Sequence, residues 1–171
     1  MLTKFIKNII FLIIIALSQS TFSNVKNDSV YTIIRGLVKS TTKVIRTAKL
    51  DSAAAFHSKY LVAKHGTGHD EEDRPLTKTP MKRAEKFGDN GLGIYEVCWA
   101  GNPNYFRSSV STKAAIDYFK RSKKHWDIMT RGVSQFSEIR FGYSLIETKE
   151  WSACVIIYST GPEAINNTVG N

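Results

Sequence analysis

Ile139-Arg-Phe-Gly-Tyr-Ser-Leu145 and Trp151-Ser-Ala-Cys-Val-Ile-Ile157 are the stretches on which the fold turns. In the first, Ile139, Phe141, Tyr143 and Leu145 alternate with smaller or polar residues. In the second, Trp151, Ala153, Val155 and Ile157 do the same, and Glu147–Lys149 between them is of hairpin length. Period-two patterning around a short polar turn predicts two antiparallel strands. Upstream, Ile94, Glu96, Cys98 and Ala100 fall on one face of a third strand, with Tyr95, Val97 and Trp99 on the other. Helical spacing governs the rest. Val30, Ile33, Ile34, Leu37 and Val38 form one apolar stripe, with Asp28 or Ser29 available as N-cap. A second helix opens after Asp51, shares a stripe of Leu50, Ala54, His57 and Leu61, and stops at Gly66. Thr79-Pro80 reads as the N-cap and first residue of a short helix ended by Gly88. Ser111 caps a fourth helix, with Ala115, Tyr118, Phe119 and Ser122 on a common side. Thr67–Thr79, which holds Asp70, Glu71, Glu72 and Asp73, is a polar loop, and Gly101–Ser109 is irregular. Helices first, then an antiparallel sheet with one interposed helix, predict an α+β sandwich.

The first residues stand apart from that pattern. Lys4 and Lys7 precede an uncharged apolar run, Ile9–Leu17, and Thr21 and Ser23 supply small residues before Asn24. This is the layout of a secretory signal peptide, and the run is short for a membrane span of roughly 20 residues. The expected organisation is therefore a signal peptide over 1–23, an N-terminal helical segment over 24–49, a domain core over 50–160 and a tail over 161–171. A secreted, periplasmic or extracellular location follows, with no stable membrane span after cleavage. The formal charge is +9, but Lys82-Arg83, Lys120-Arg121 and Lys123-Lys124 are scattered and lack interleaved aromatic residues. A nucleic-acid platform is not indicated; a solvated basic surface able to meet anionic envelope polymers is. Cys98 and Cys154 are the two cysteines. An even count in an oxidising compartment permits a disulfide between them, and two buried free thiols are the competing reading.

Nucleophile-elbow, H-E-x-x-H, C-x-x-C and phosphate-loop signatures are absent. Chemistry must then be sought among four histidines. His69 opens the acidic loop, His125 ends the Ser111 helix, and Glu96 lies in an apolar strand, where a carboxylate needs a partner. Two imidazoles and a carboxylate suffice for a zinc site with an open position, provided they meet. His57 reads as a packed histidine and Arg83 as a structural partner of Glu85 or the acidic loop. His65, with His69, Asp70 and Glu71, is poorly placed for a separate cluster, because Gly66-Thr67-Gly68 breaks helical geometry.

The order Leu50-x-x-Ala53-Ala54-x-x-His57-Ser58-x-Tyr60-Leu61, Gly68-His69-Asp70, Thr79-Pro80-x-x-Arg83-Ala84-x-x-x-Gly88, Glu96, Phe119-x-x-Ser122-x-x-His125 and Phe141-Gly142-Tyr143 resembles a bacterial-type domain of the CAP superfamily. This superfamily, also called the SCP domain, comprises cysteine-rich secretory proteins, venom antigens and plant pathogenesis-related proteins. The resemblance runs from about Leu50 to Tyr158. It implies a three-layer α–β–α sandwich with a central antiparallel sheet and a cleft holding two histidines and acidic residues, where some members bind a divalent cation. His69, Glu96 and His125 match the cleft positions and become the implied metal ligands, for zinc or a similar ion; Ser122 lines the same cleft. The chain departs from the pattern at Val97, where the family has asparagine, at Phe119 for tryptophan, and at Trp126 for the arginine of bacterial relatives; Ser122 stands where animal and plant members often carry a second glutamate and bacterial members commonly have serine.

The function implied is a secreted binding or interaction module, monomeric, without catalytic residues, taking a divalent metal or small ligand. Two alternatives stand beside it. One is an extracellular hydrolase with His69 or His125 as base, Glu96 orienting it and metal-bound water or Ser122 as nucleophile. The other is a lipid or sterol carrier using Tyr105 and Phe106 in the Gly101–Val110 loop, with an envelope or host component as a further partner class.

Overall fold

Strand β4, Ser152–Thr160, is buried along its whole length and forms the spine of the molecule. The computed structural model describes residues 29–103 and 112–161. Helix α1 (Ser29–Leu37), strand β1 (Lys43–Arg46), helices α2 (Ala48–Lys64) and α3 (Pro80–Lys86), and strand β2 (Gly93–Gly101) lead to helices α4 (Thr112–Arg121) and α5 (Lys123–Asp127). A π-helical turn over Ile128–Gly132, strand β3 (Glu138–Glu147) and β4 complete the order. The sheet runs β1-β3-β4-β2. β4 pairs antiparallel with both neighbours, Leu145 opposite Cys154 on one side and Cys98 opposite Val155 on the other.

Alternation along these strands separates two cores. Val97, Trp99, Ile139, Phe141, Cys154 and Ile156 face α1, α4 and the π-helical turn, packing on Ile34, Phe119 and Met129. Cys98, Ala153, Val155 and Ile157 face α2 and α3, packing on Leu50, Ala54, Leu61 and Ala84. Burying each large side chain of this kind contributes about 1.5–3 kcal/mol. Helices on both faces make three layers, α–β–α, an α+β fold as the patterning predicts.

The sheet is not wholly antiparallel, which corrects the expectation of a central antiparallel sheet. β1 lies parallel to β3, with Val44 opposite Ile139. The segment over 24–49 is likewise not only helical, since it carries this edge strand. Lys43-Val-Ile-Arg46 is four residues long with Val44 alone buried, too short to show period two. Its partner lies far along the chain, as parallel pairing with a crossover requires. α2 starts earlier than expected because Thr47 is its N-cap, accepting from the Leu50 N–H at 3.2 Å. Thr79 caps α3 in the predicted way, with Pro80 at its first position.

The cysteines fall on opposite faces of the sheet, Cys98 under α2 and Cys154 in the other core, and both are free thiols. The disulfide is thereby replaced by the alternative reading: side chains that leave a sheet in opposite directions cannot bridge. Burial pushes the Cys154 thiol up to about 12. No helix among the described residues is long and apolar enough to cross a membrane. The signal peptide expected over 1–23, Tyr105, Phe106, the expected Ser111 cap and all but the first residue of the tail over 161–171 lie outside the described residues.

Candidate functional site

Glu96 is the pivot. β2 presents it to the α2–α3 side, where it is 5% exposed and must find charged or hydrogen-bonding partners. Arg83, fully buried on α3, donates from Nη2 to Glu96 Oε2 at 2.8 Å and to the His69 carbonyl at 2.9 Å. Its other terminal nitrogen holds the Lys78 carbonyl at 3.0 Å and the Thr77 carbonyl at 3.2 Å, so one guanidinium ties both ends of the acidic loop to the helix. His69 Nδ1 meets Glu96 Oε1 at 3.0 Å. Burial alone would push the Glu96 carboxyl up, but the His69 hydrogen bond and the Arg83 and His57 charges draw it below the usual carboxylate range.

A second buried carboxylate extends the cluster. Glu71 is fully buried and receives the Thr77 hydroxyl at 2.7 Å, with Arg83 Nη1 at 4.0 Å. His57, fully buried on α2, sets Nδ1 against Glu71 Oε1 at 3.1 Å and Nε2 against the Gly68 carbonyl at 3.0 Å, with Glu96 Oε1 at 3.7 Å. Cys98, two residues along β2 from Glu96, points its thiol at the Gly68 carbonyl at 3.2 Å and lies 3.6 Å from His69 Nδ1. Burial, then the Glu96 charge, push that thiol well above its ordinary range.

His69 and Glu96 are thus brought together. His125 approaches from α5: its ring packs on Phe119 at 5.3 Å and Tyr118 at 6.5 Å. Burial, followed by the His69 and Lys124 charges, holds its pKa below the ordinary imidazole value. Its Nδ1 is buried with no hydrogen-bond partner. Ser122 sits at the N-cap of α5 without making the cap bond, and among the described residues it bonds to neither histidine. His65 is elsewhere, stacked on Trp151 at 5.2 Å in a left-handed C-cap.

Two metal-donor sets can be tested against this geometry. His69 has its Nδ1 fixed by a carboxylate and Nε2 left over, the usual dress of a metal-ligating histidine. His125 adds a buried nitrogen without a hydrogen-bond partner. Glu96 is shared between the two sets, its Oε1 lying 3.0 Å from His69 Nδ1 and 3.7 Å from His57 Nε2. The other set was not anticipated: His57, Glu96 and Cys98 are all buried and offer one donor atom each, all within 4.8 Å of one another, and can hold a metal ion. The sequence reads His57 as core packing, and Glu71 and Arg83 as loop and structural residues. The signal that could have found them is the need of Glu96 for buried cations.

The α–β–α sandwich is a CAP/SCP-like fold by its likeness to a solved SCP-domain structure. Among solved structures it is similar to an extracellular SCP-domain protein from Bacillus anthracis str. Ames, with a TM-score of 0.50 and 17% identity over 73% of this chain. The match covers 36% of that protein, so this chain spans about a third of its length. It is also similar to an outer surface protein from Borrelia burgdorferi, with a TM-score of 0.59 and 15% identity over 78% of this chain and 90% of that one. No family model and no curated protein matches the sequence.

Proposed function

We propose that this chain is a secreted or surface-located binding module whose cleft takes a divalent cation of the zinc class, or a small ligand, between His69 Nε2 and His125. One observation carries the reading: the buried, unpartnered Nδ1 of His125 stands within electrostatic reach of His69, whose own Nδ1 is held by Glu96. Buried polar atoms in native structures nearly always have partners, and an orphan at a cleft points to something that binds there. His69 is 38% exposed at its side chain, so the site opens to solvent. The names of the two similar structures place those proteins outside the cell or on its surface, in keeping with the leader expected over 1–23. A binding role is favoured over hydrolysis because, among the described residues, Ser122 bonds to neither histidine, and the sequence carries no oxyanion-hole motif.

Calorimetric titration with zinc tests this. The expected result is a rapid, reversible binding event lost in His69→Ala and in His125→Ala, and weakened about 10- to 100-fold, on the order of other removed outer-shell carboxylates, in Glu96→Gln. Binding should weaken as pH falls through the imidazole range. Wild-type binding in both histidine variants would overturn the reading.

A further inference from the structure

Beneath the cleft lies a pocket of electron-rich atoms whose protons do not add up. His57 faces an acceptor at each ring nitrogen, Glu71 Oε1 at Nδ1 and the Gly68 carbonyl at Nε2. A neutral imidazole has one N–H and satisfies one of them. With the proton on Nδ1, held by Glu71, the Nε2 lone pair points at the Gly68 carbonyl, with Glu96 Oε1 at 3.7 Å and the Cys98 sulfur in the same group. The Cys98 S–H at 3.2 Å from the Gly68 carbonyl is the proton a metal ion would displace, leaving the three donors to face the ion.

We infer that His57 Nε2, Glu96 Oε1 and Cys98 Sγ form a buried site for one thiophilic divalent cation, with the Gly68 carbonyl beside it. Zinc-class ions take nitrogen, oxygen and sulfur ligands at about 2.0–2.3 Å, which sets the ligand atoms of a tetrahedral site roughly 3.5 Å apart. The 3.7 Å between His57 and Glu96 is already there, and no pair in the set exceeds 4.8 Å. Glu71 behind Nδ1 is the carboxylate that orients a ligating histidine, and Thr77 in turn fixes Glu71. Charge selects the ion. Arg83 and Glu71 offset one another, so a Glu96 carboxylate and a Cys98 thiolate leave two negative charges for a divalent ion to neutralise. Binding forms the sulfur–metal bond and releases the Cys98 thiol proton to solvent, so affinity rises with pH. The groups facing this pocket are His57 from α2, Glu71 and His69 from the loop, Arg83 from α3 and Glu96 from β2. The site shares Glu96 with the cleft reading but takes its other two ligands from His57 and Cys98, and His125 has no part in it.

Cobalt(II) reports thiolate ligation directly, through a sulfur-to-metal charge-transfer absorption. The purified protein is unfolded in denaturant, refolded with cobalt to load the buried position, freed of loose metal by gel filtration, and its spectrum recorded. One tetrahedral cobalt per chain with that band is expected in wild type and in Cys154→Ala. Cys98→Ser, near in size and checked as folded by circular dichroism, should lose it. A folded wild type without the band means that a proton alone balances His57, and overturns the proposal; so does a band that survives in Cys98→Ser. Loss of zinc calorimetry in His125→Ala with the cobalt band intact would show the two sites to be separate.

Discussion

Gly142→Ala should unfold this protein far more readily, although backbone conformation alone argues the reverse. Gly142 is not among the glycines with positive φ, so alanine fits its dihedral angles. On that ground the substitution would stabilise by about 0.4–1 kcal/mol, through lost freedom in the unfolded chain. Packing decides otherwise. A Cβ there would stand 2.0 Å from the Leu50 carbonyl carbon and 2.2 Å from the Asp51 nitrogen. Carbon atoms prefer about 3.5–4.0 Å, so the first turn of α2 must retreat by about 1.5–2 Å, and backbone cannot swing aside as a side chain can. Retreat breaks the Tyr143 N–H bond to Asp51 Oδ1 at 2.9 Å and the Thr47 N–H bond to the Phe141 carbonyl at 3.0 Å. Overpacking costs about 1–3 kcal/mol and each lost bond about 1 kcal/mol, so after that gain is subtracted the net destabilisation is about 3–4 kcal/mol. In urea, with a slope of about 2 kcal/mol/M, the unfolding midpoint followed by circular dichroism should fall by about 2 M. A midpoint within about 0.5 M of wild type, or above it, would refute the claim that α2 rests on bare backbone at β3. α2 also carries His57, so the retreat should disturb the buried cluster.

Two further outcomes follow from the buried ion pairs. Arg83→Met removes the guanidinium from Glu96 and Glu71 and strands two buried carboxylates, which should cost about 3–5 kcal/mol and lower Tm by roughly 10–20 °C in a thermal melt; a drop of under about 3 °C would mean that the carboxylates are paired by other means. At the far end of the sheet, Asp89 accepts the Ser159 hydroxyl at 2.5 Å and Arg140 Nε at 3.2 Å. Burial alone would raise its carboxyl, but these bonds and the Gly91 N–H carry it below its ordinary 3.8. A carboxyl lowered on folding stabilises above the unfolded value, and that contribution is lost as pH falls through the folded one. Acid titration of stability should therefore show a loss starting near about pH 4 that is smaller in Asp89→Asn, and identical acid profiles would contradict it.

How much of this was legible in the sequence depends on whether the signal is local. The alternation from Gly93 to Gly101 declared both faces of β2, and the same holds for the β3–β4 hairpin. Thr79-Pro80 declared a helix start because capping is settled within one turn. β1 was silent, since four residues with one buried position cannot show a period and their partner is on the other side of the domain. The π-helical turn after α5 was equally silent: its widened turn arises where α5 must continue to carry Met129 and Val133 into the core. The site divides along the same line. Glu96 announces a need, since an ionised carboxylate in an apolar strand requires partners. It does not say which, and the answer comes from three elements at once: Arg83 on α3, His69 on the loop and His57 on α2. Family resemblance found His69 because it matches motif order, and passed over His57 because a histidine on an apolar stripe looks the same whether it packs or ligates. What separates those roles is the second nitrogen. At His57 both nitrogens are committed to acceptors, at His125 one is buried with nothing, and only tertiary placement of Glu71, Gly68 and Phe119 creates that difference.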